Sequence, residues 1–291
     1  MEKNNQPPSR PTTKNHPGAP SVAQPATRVT AAPPPPRKTA PVATVKEQPY
    51  NPKNSWDEKL QLACTSASIM AESFRRLRTQ ILHPLRGKPA RTIMVTSSVP
   101  EEGKSFVCAN LGIAFAKGME QHALLVDCDM RRPTLAKLFG IDNGRGLADH
   151  LRHHLDLGQL IHKTSLEKLG VIPSGPPPAN PAELLDSLQM KAMISEVTNR
   201  YPDRYIFFDT PPIHAAAETA VLAKHVDGIV LVVRFGKSGR EQIKKLVATL
   251  GKEKIIGVVF NAYEMNMLEA KFLNYSHGYD YYYSGGYAAK E

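Results

Sequence analysis

One segment of the sequence has the residue types and spacing of a phosphate-binding loop. The residues Ser98-Val99-Pro100-Glu101-Glu102-Gly103-Lys104-Ser105 follow an apolar run, Thr92–Ser97, and open a helical pattern, Lys104–Lys117. Backbone N–H groups at the start of a helix favour an anion, and a lysine at this place can reach the β- and γ-phosphates of a nucleotide. The hydroxyl of Ser105 is suited to Mg²⁺. Ser98 stands where the pattern usually has its first glycine.

Acidic residues end two further apolar runs. The run Ala123–Asp127 ends on an aspartate and Asp129 follows two residues later, while the run Tyr205–Asp209 also ends on an aspartate. Two neighbouring carboxylates repel each other unless a cation relieves them, which suits Mg²⁺ and a hydroxyl nucleophile. The third aspartate matches the carboxylate that holds the metal, directly or through water, in phosphate-loop enzymes. Together the three motifs indicate phosphoryl transfer.

Six of the ten tyrosines of this 291-residue chain lie in its last seventeen residues. They are Tyr275, Tyr279, Tyr281, Tyr282, Tyr283 and Tyr287. Glycines lie among them and raise the entropic cost of ordering the segment. The spacing of the rings fits neither one face of a helix nor an alternating strand. We predict a flexible tail, 273–291, that offers its phenolic hydroxyls to another molecule.

Short apolar runs alternate with helical patterns from about Trp56 onwards. The predicted strands are Thr92–Ser97, Ala123–Asp127, Leu169–Pro173, Tyr205–Asp209, Gly228–Val233 and Ile255–Phe260. The predicted helices are about Ser66–Leu82, Lys104–Lys117, Pro181–Leu188, Lys191–Asn199 and Gly239–Leu250. Apolar strands separated by helices indicate a mostly parallel sheet covered on both faces. The predicted fold is therefore an α/β phosphate-loop NTPase whose ligand lies beyond the carboxyl ends of the strands.

The first fifty residues differ from the rest in composition and charge. They contain the run Pro33–Pro36, many other prolines and almost no large apolar side chains, so burial cannot offset the entropy of ordering them. Seven basic and two acidic residues give this stretch half of the net charge of +10. We predict a disordered basic segment, 1–55, and a folded domain, 56–272. The basic charge thus argues little for nucleic-acid binding by the folded domain, and an anionic membrane surface is an equal alternative.

The cysteines and the hydropathy pattern indicate a cytoplasmic protein. No apolar run reaches the roughly 20 residues that span a bilayer, and the N-terminus lacks the apolar core of a signal peptide. The cysteines, Cys64, Cys108 and Cys128, have no metal-ligand spacing, which is typical of a reducing compartment. The histidines at 150, 153, 154 and 162 lie in what is predicted to be an exposed connecting segment, and no zinc site is expected there.

The three motifs resemble the catalytic set of bacterial tyrosine kinases that act in capsule and exopolysaccharide production. The motifs are the phosphate loop, the segment Asp127-x-Asp129-x-Arg131, and the strand end Asp209-Thr210-Pro211-Pro212. The similarity runs from about Ala71 to the C-terminus and includes the stretch from Gly175 to Leu185 and the tyrosine cluster. The proline-rich N-terminus lies outside this match and resembles that of the exosortase-associated branch. Within the fold class, the resemblance implies the branch that also contains the partitioning ATPases.

This resemblance implies ATP and Mg²⁺ as cofactors and a role for each residue of the site. The implied catalytic residues are Lys104, Asp127, Asp129 and Asp209. The implied nucleotide-binding residues are Ser98, Pro100, Glu101, Glu102, Gly103, Lys104, Ser105, Phe106 and Arg131. The implied metal ligands are Ser105, Asp127 and Asp209, and Asp127 would also orient the acceptor hydroxyl and take its proton. The implied reaction is autophosphorylation of the six tail tyrosines in trans.

A charged helical motif bears on self-association. Glu72, Arg75 and Arg78 recur every three residues, so they share a helix face and could form ion pairs across an interface. Spacing alone favours a solvated charged face. In the family this motif mediates assembly into a ring, so the resemblance implies a homo-oligomer. It also implies a membrane-bound activator of the polysaccharide chain-length-determinant type, a cognate tyrosine phosphatase, recruitment to the inner face of the cell membrane, and no nucleic-acid partner.

Two other classes of function share parts of this pattern. ATPases of chromosome partitioning and division-site placement have the same three motifs, but they carry an extra lysine early in the loop, where this chain has Val99. A nucleotide-dependent scaffold, with the tail as a docking peptide, is the third class. Retention of Lys104, Ser105 and all three aspartates argues against a dead site. A DNA-binding function lacks interleaved aromatic residues and a recognition helix in the N-terminal segment.

Overall fold

The computed structural model describes residues 47–51, 55–63, 68–85 and 87–262. All of them lie within one compact unit, 44–291. The segment up to residue 46 and the six tail tyrosines lie outside the described residues, so the division into 1–55, 56–272 and 273–291 stays a prediction. None of the helices within the described ranges combines the length and the hydropathy needed to span a membrane.

The centre of the described residues is a seven-stranded sheet in the order β3-β4-β2-β5-β1-β6-β7. All neighbouring strands are parallel except β3, which is antiparallel to β4. The strands are β1 Thr92–Ser97, β2 His122–Asp127, β3 His162–Lys163, β4 Leu169–Ile172, β5 Arg204–Asp209, β6 Gly228–Arg234 and β7 Ile255–Asn261. The six predicted strands are confirmed, each to within one residue at either end. β3 has only two residues and carries no periodicity by which it could have been predicted.

Helices cover both faces of the sheet, as predicted. They are α1 Glu58–Ala63, α2 Ile69–Leu82, α3 Lys104–Ala116, α4 Leu135–Phe139, α5 Leu147–His153, α6 Leu157–Leu160, α7 Pro181–Leu185, α8 Leu188–Arg200, α9 Glu218–Leu222 and α10 Arg240–Leu250. The first four helices pack into the core on one face. The other six pack into a separate core on the opposite face. The predicted α/β class with two covered faces is therefore confirmed.

The apolar runs of the central strands follow from this arrangement. In β1, Ile93 and Val95 belong to one core while Met94, between them, belongs to the other. Likewise in β5 the adjacent rings of Phe207 and Phe208 are buried on opposite faces. Because successive side chains of a strand point to opposite faces, a strand buried on both faces must be apolar at nearly every position.

The chain between β2 and β4 differs from its prediction as an exposed connection. It forms α4, α5, α6 and β3, and their apolar residues pack into both cores. His150 is buried on α5, where its Nδ1 lies 2.7 Å from the carbonyl oxygen of Leu155. The exposed-segment prediction was wrong for this histidine because three short helices leave too little periodicity to be recognised. His153 and His154 are exposed.

The described residues at the N-terminal end pack on the edge of the sheet. Gln48 donates its N–H to the carbonyl of Ile161 at 2.8 Å and accepts the N–H of Lys163 at 3.0 Å, which adds a parallel bridge to β3. Glu47 pairs with Arg204 at 2.7 Å between Oε1 and Nη2, and both side chains are 17% exposed. These contacts precede the predicted start of the folded domain at residue 56.

The edge-to-face contact between Phe115 of α3 and Phe207 of β5 offers a test of the packing. Phe115 is fully buried, and its ring centroid lies 5.0 Å from that of Phe207. We expect Phe115→Ala to lower the free energy of unfolding by about 3–5 kcal/mol, because it removes apolar contacts and leaves a cavity. Urea unfolding measures this loss. Leu188→Ala is the matched control, since that side chain is 81% exposed and should change stability by less than about 0.5 kcal/mol. Equal losses for the two variants would contradict the assigned core.

Candidate functional site

The predicted phosphate loop lies between the carboxyl end of β1 and the start of α3. Two of its residues have a left-handed backbone, Glu101 with φ of 63° and Gly103 with φ of 89°. At Gly103 a Cβ atom would collide with the side-chain amide of Asn261, at the end of β7. Glycine is thus favoured at this position by the left-handed backbone, and any other residue would also have to displace the Asn261 amide. The loop delivers the first turn of α3, whose N–H groups have no acceptor inside the helix.

Lys104, the first residue of α3, forms a buried ion pair with Asp129. The distance from Nζ to Oδ2 is 2.8 Å, and the two side chains are 12% and 5% exposed. Burial lowers the pKa of Lys104, but Asp209 and Asp129 outweigh it, so that pKa lies above its usual value. The lysine is therefore charged at neutral pH and lies among carboxyl groups.

Asp127 is fully buried and accepts three backbone hydrogen bonds. Its Oδ1 accepts the N–H of Asp129 at 3.1 Å, and its Oδ2 accepts those of Thr134 and Leu135 at 3.0 Å each. Burial, followed by the charge of Asp209, raises the pKa of Asp127 well above its usual value. The carboxylate thus fixes the turn that carries Asp129 and leads into α4.

Asp209 ends β5 directly beside Asp127 in the sheet register. It is fully buried, and neither carboxylate oxygen has a hydrogen-bond partner of ordinary geometry in the described part of the chain. Burial raises the pKa of Asp209 to about 6, although Lys104 and the hydroxyl of Ser105 oppose this rise. Two buried oxygens without a donor fit a metal ligand or a ligand to metal-bound water, because an uncompensated buried carboxylate is costly.

A cleft of about 1180 Å³ opens over the loop. The predicted nucleotide-binding residues that line it are Pro100, Glu101, Gly103, Lys104, Ser105, Phe106 and Arg131. Ser98 and Glu102 do not line it and are fully buried beneath the loop. Of the three aspartates, Asp129 lines the cleft. The structure therefore brings the predicted residues together but separates those that face the cleft from those that support them.

Several cleft residues were not predicted from the sequence. Asp57 lies directly before α1 and Lys59 in its first turn, Met70 and Phe74 come from α2, and Asn261 comes from the end of β7. Asn261 had a usable signal, since it is a polar residue at the carboxyl end of an apolar strand, as are the aspartates. The helical residues had none, because only the fold brings them to the loop.

Comparisons with known proteins place this site in a family. A model of the CbiA type, the CobQ/CobB/MinD/ParA nucleotide-binding domain, matches residues 93–276. The tyrosine-protein kinase YwqD of Bacillus subtilis is 36% identical over 201 residues, which are 68% of this chain and 84% of that protein. The chain belongs to the bacterial tyrosine-protein kinases.

Solved structures agree with this assignment. The kinase domain of the Escherichia coli tyrosine kinase ETK matches with a TM-score of 0.63 at 28% identity, over 70% of this kinase and 82% of that chain. The septum site-determining protein MinD of Pyrococcus horikoshii, complexed with Mg-ADP, matches with a TM-score of 0.52 at 23% identity, over 61% of this kinase and 72% of that chain. The second likeness shows the shared fold alone. The partitioning-ATPase-like branch of the predicted fold is confirmed.

The kinase holds the three residues of its charged helical motif in contacts within one subunit. On α2, Arg75 donates from Nε to Oε2 of Glu72 at 2.7 Å. Arg78 donates from Nη1 to the carbonyl of Ala114, near the end of α3, at 2.7 Å. Arg131, of the aspartate segment, pairs with Glu218 of α9 at 3.0 Å. Their part in self-association or nucleotide binding stays a prediction, as do the six tail tyrosines, which lie outside the described residues.

The raised pKa of Asp209 predicts how the stability of the kinase without metal depends on pH. Between pH 3.8 and about 6 the folded state holds a proton that the unfolded state has lost. Stability therefore falls as pH rises through this window, and none of this contribution remains above it. We expect Asp209→Asn to raise the free energy of unfolding at pH 7.5 by about 3 kcal/mol, at roughly 1.4 kcal/mol per pKa unit. The gain at pH 5 should be smaller.

Urea unfolding in EDTA at the two pH values measures this difference. Glu120→Gln is the control, because that side chain is exposed and lies before β2. A loss of stability in Asp209→Asn at pH 7.5 would contradict a buried charge that its neighbours offset only in part. The Glu120→Gln variant should show no pH-dependent gain.

Proposed function

We propose that this kinase transfers the γ-phosphoryl group of ATP to the tyrosines of its own C-terminal tail. Membership of the tyrosine-protein kinases supports the reaction type. The observation that carries the proposal is the buried pair of Lys104 and Asp129 at the cleft, beside the unpaired carboxylate of Asp209. The six clustered tyrosines supply acceptors within the same chain.

Lys104 is placed to exchange its partner when nucleotide binds. Its ammonium group lies at the start of α3, where N–H groups and charge favour the phosphates of ATP. As the ammonium group turns to the phosphates, Asp129 is released from the 2.8 Å ion pair while its other oxygen keeps the N–H of Arg132 at 3.1 Å. Binding of the phosphates to Lys104 and release of the Asp129 carboxylate from its ion pair then occur together.

Ser105 and Asp209 are the residues that would hold Mg²⁺, with Asp209 bound directly or through water. Bound Mg²⁺ supplies neutralisation of the charge on the β- and γ-phosphate oxygens. MinD of Pyrococcus horikoshii, which shares the fold, was solved with Mg-ADP. Support from this chain itself comes from the two carboxylate oxygens of Asp209, which have no hydrogen-bond partner of ordinary geometry among the described residues.

Asp129 is better placed than Asp127 to face the acceptor tyrosine. A phenol has a pKa near 10, so its proton must leave as the new bond forms. Asp129 lines the cleft, whereas the oxygens of Asp127 are bonded to three backbone N–H groups. We assign to Asp129 the orientation of the phenol and acceptance of its proton, and to Asp127 the positioning of Asp129.

Self-association and partner proteins belong to the same proposal. The shared face of Glu72, Arg75 and Arg78 would contact a neighbouring subunit, which would present its tail in trans. The kinase would act in exopolysaccharide or capsule synthesis or export, be recruited to the inner membrane face by a chain-length-determinant-type activator, and be reversed by a tyrosine phosphatase. Names of curated relatives support the capsule setting, such as the putative kinase CapB of Staphylococcus aureus. Membrane-flotation with and without the activator tests the recruitment.

Removal of the lysine tests the reaction. We expect Lys104→Met, incubated with Mg²⁺ and ATP, to lose phosphotyrosine from the tail by at least about a hundredfold, because no cation replaces it at the phosphates. Phosphopeptide mapping by mass spectrometry measures the label on each tyrosine. Lys244→Met is the matched control, since that lysine is 60% exposed in an i,i+3 pair on α10. Undiminished labelling of Lys104→Met would overturn the proposal.

The same assay tests whether transfer runs between subunits. It also distinguishes the roles of the two neighbouring aspartates. Lys104→Met carrying an affinity tag should regain tail phosphotyrosine when mixed with active enzyme if transfer runs between subunits. Asp129→Asn should abolish labelling without loss of nucleotide affinity. Asp127→Asn should lower the unfolding midpoint as well, because its carboxylate holds three N–H groups. The reverse pattern would return the acceptor-facing role to Asp127.

Phosphorylation is expected to loosen the assembly. Each phosphotyrosine adds about −1.5 to −2 charges, so a modified tail repels itself and the acidic site. Multi-angle light scattering should show a smaller mass after incubation with Mg²⁺ and ATP. Lys104→Met should keep its mass under the same conditions. An unchanged mass after complete phosphorylation would contradict this expectation.

A further inference from the structure

The phosphate loop contains a buried carboxylate to which the nucleotide chemistry assigns no task. Glu102 is fully buried and does not line the cleft. No lysine, arginine or histidine side chain forms an ion pair with it in the part of the chain that the structure describes. A buried carboxylate without a cation is costly unless hydrogen bonds satisfy it. The location of this carboxyl group beneath a phosphate site raises the free-energy cost further, because like charges repel.

One oxygen of Glu102 shapes the beginning of its own loop. Oε2 accepts the N–H of Ser98 at 2.7 Å and the N–H of Val99 at 3.1 Å. The carboxyl group therefore lies inside the turn as a hydrogen-bond acceptor that the chain itself provides. These two donors are engaged before any nucleotide arrives, and the loop is held closed around its fifth residue.

The other oxygen of Glu102 joins the loop to the segment between β6 and α10. Oε1 accepts the hydroxyl of Ser238 at 2.7 Å and the N–H of Arg234 at 3.3 Å. Both donors are neutral groups, so this oxygen is satisfied without a side-chain cation in the loop. A single side chain thus bridges two segments that border the nucleotide site.

Further contacts hold the same part of the loop from outside. Asn261 donates from Nδ2 to the carbonyl of Glu102 at 2.8 Å, and Arg234 donates from Nη1 to the carbonyl of Glu101 at 3.2 Å. The left-handed residues Glu101 and Gly103 flank Glu102 on either side. The strained backbone of the loop is therefore fixed by hydrogen bonds around this one residue.

We propose that Glu102 and Ser238 are positioning residues for nucleotide binding. Glu102 holds the loop in its phosphate-binding conformation before nucleotide arrives, and the Ser238 hydroxyl makes the β6–α10 segment part of the nucleotide site. Ordering the loop in advance removes an entropic cost from binding. This inference rests on the proposed nucleotide site, and it concerns affinity for nucleotide, not phosphoryl transfer.

Binding of Mg·ADP to the purified full chain, measured by isothermal titration calorimetry, tests the inference. We expect Glu102→Gln to raise the dissociation constant about tenfold, because the amide NH₂ must face donors that now lack an acceptor. Ser238→Ala should raise it about threefold, and Ser238→Thr, which keeps the hydroxyl, should restore it. The double variant Glu102→Gln/Ser238→Ala should bind no more weakly than Glu102→Gln alone, since the two side chains form one interaction.

Two exposed residues provide matched controls for these variants. Glu241→Gln removes a carboxylate of α10 that is 74% exposed, and Ser195→Ala removes an exposed hydroxyl on α8. Neither should change the dissociation constant. The unfolding midpoint of every variant is measured beside its affinity, so that a general loss of folding is separated from a loss of loop order.

The affinities and unfolding midpoints together distinguish a positioning role of Glu102 from a purely structural one. Lower unfolding midpoints with unchanged affinity at a temperature where the variants are folded would overturn the inference and leave Glu102 a structural residue. If Glu102→Gln does not fold, the Ser238→Ala and Ser238→Thr pair decides, because Ser238 is only partly buried. Wild-type protein that does not bind Mg·ADP at all would defeat the proposed function as well, whereas normal wild-type binding with insensitive variants defeats this inference alone.

Discussion

An imbalance of buried charge at the carboxyl edge of the sheet decides how the site is arranged. Three aspartates meet one ammonium group there, and all four side chains are largely removed from water. Asp129 pairs with Lys104 and Asp127 accepts three backbone N–H groups, yet burial holds the pKa of both Asp127 and Asp209 above its usual value. The site therefore holds more buried carboxyl groups than its one ammonium group can pair with. The proposed metal ion is a cation and the nucleotide is an anion. Because they bind together, they rearrange the ion pairs of the site without adding the full negative charge of the nucleotide to it.

The sheet could be read from the sequence because burial on both faces leaves an unbroken apolar run in each central strand. β1, with every residue buried, is the clearest case. Regions whose structure depends on tertiary contacts could not be read in this way. The short helices α4 to α6 each offer two or three apolar residues to a core, which is too few for a period to be recognised. The two-residue β3 exists only because β4 and Gln48 lie beside it.

The chemical residues of the site were predictable where chemistry demands a residue type at a strand end, as for Lys104 and the aspartates. The positions of these side chains relative to the cleft could not be predicted from the sequence. The resemblance assigned the acceptor hydroxyl to Asp127, yet of the two neighbouring aspartates only Asp129 lines the cleft. Glu102 appeared as one of several loop residues, although its carboxylate holds the loop from beneath through partners more than 130 positions away. Long-range hydrogen bonds of this kind leave no local pattern in a sequence.

The contacts of Glu47 and Gln48 with the edge of the sheet affect how copies of this protein can associate at high local concentration. An edge strand with free N–H and C=O groups is a template for pairing with another chain. Gln48 occupies the carbonyl of Ile161 and the N–H of Lys163, so this rim of the sheet is already closed by its own polypeptide. For a protein that is proposed to crowd copies of itself side by side, such closure protects against misassembly. At this rim, contacts between copies are then left to side chains, which can separate again.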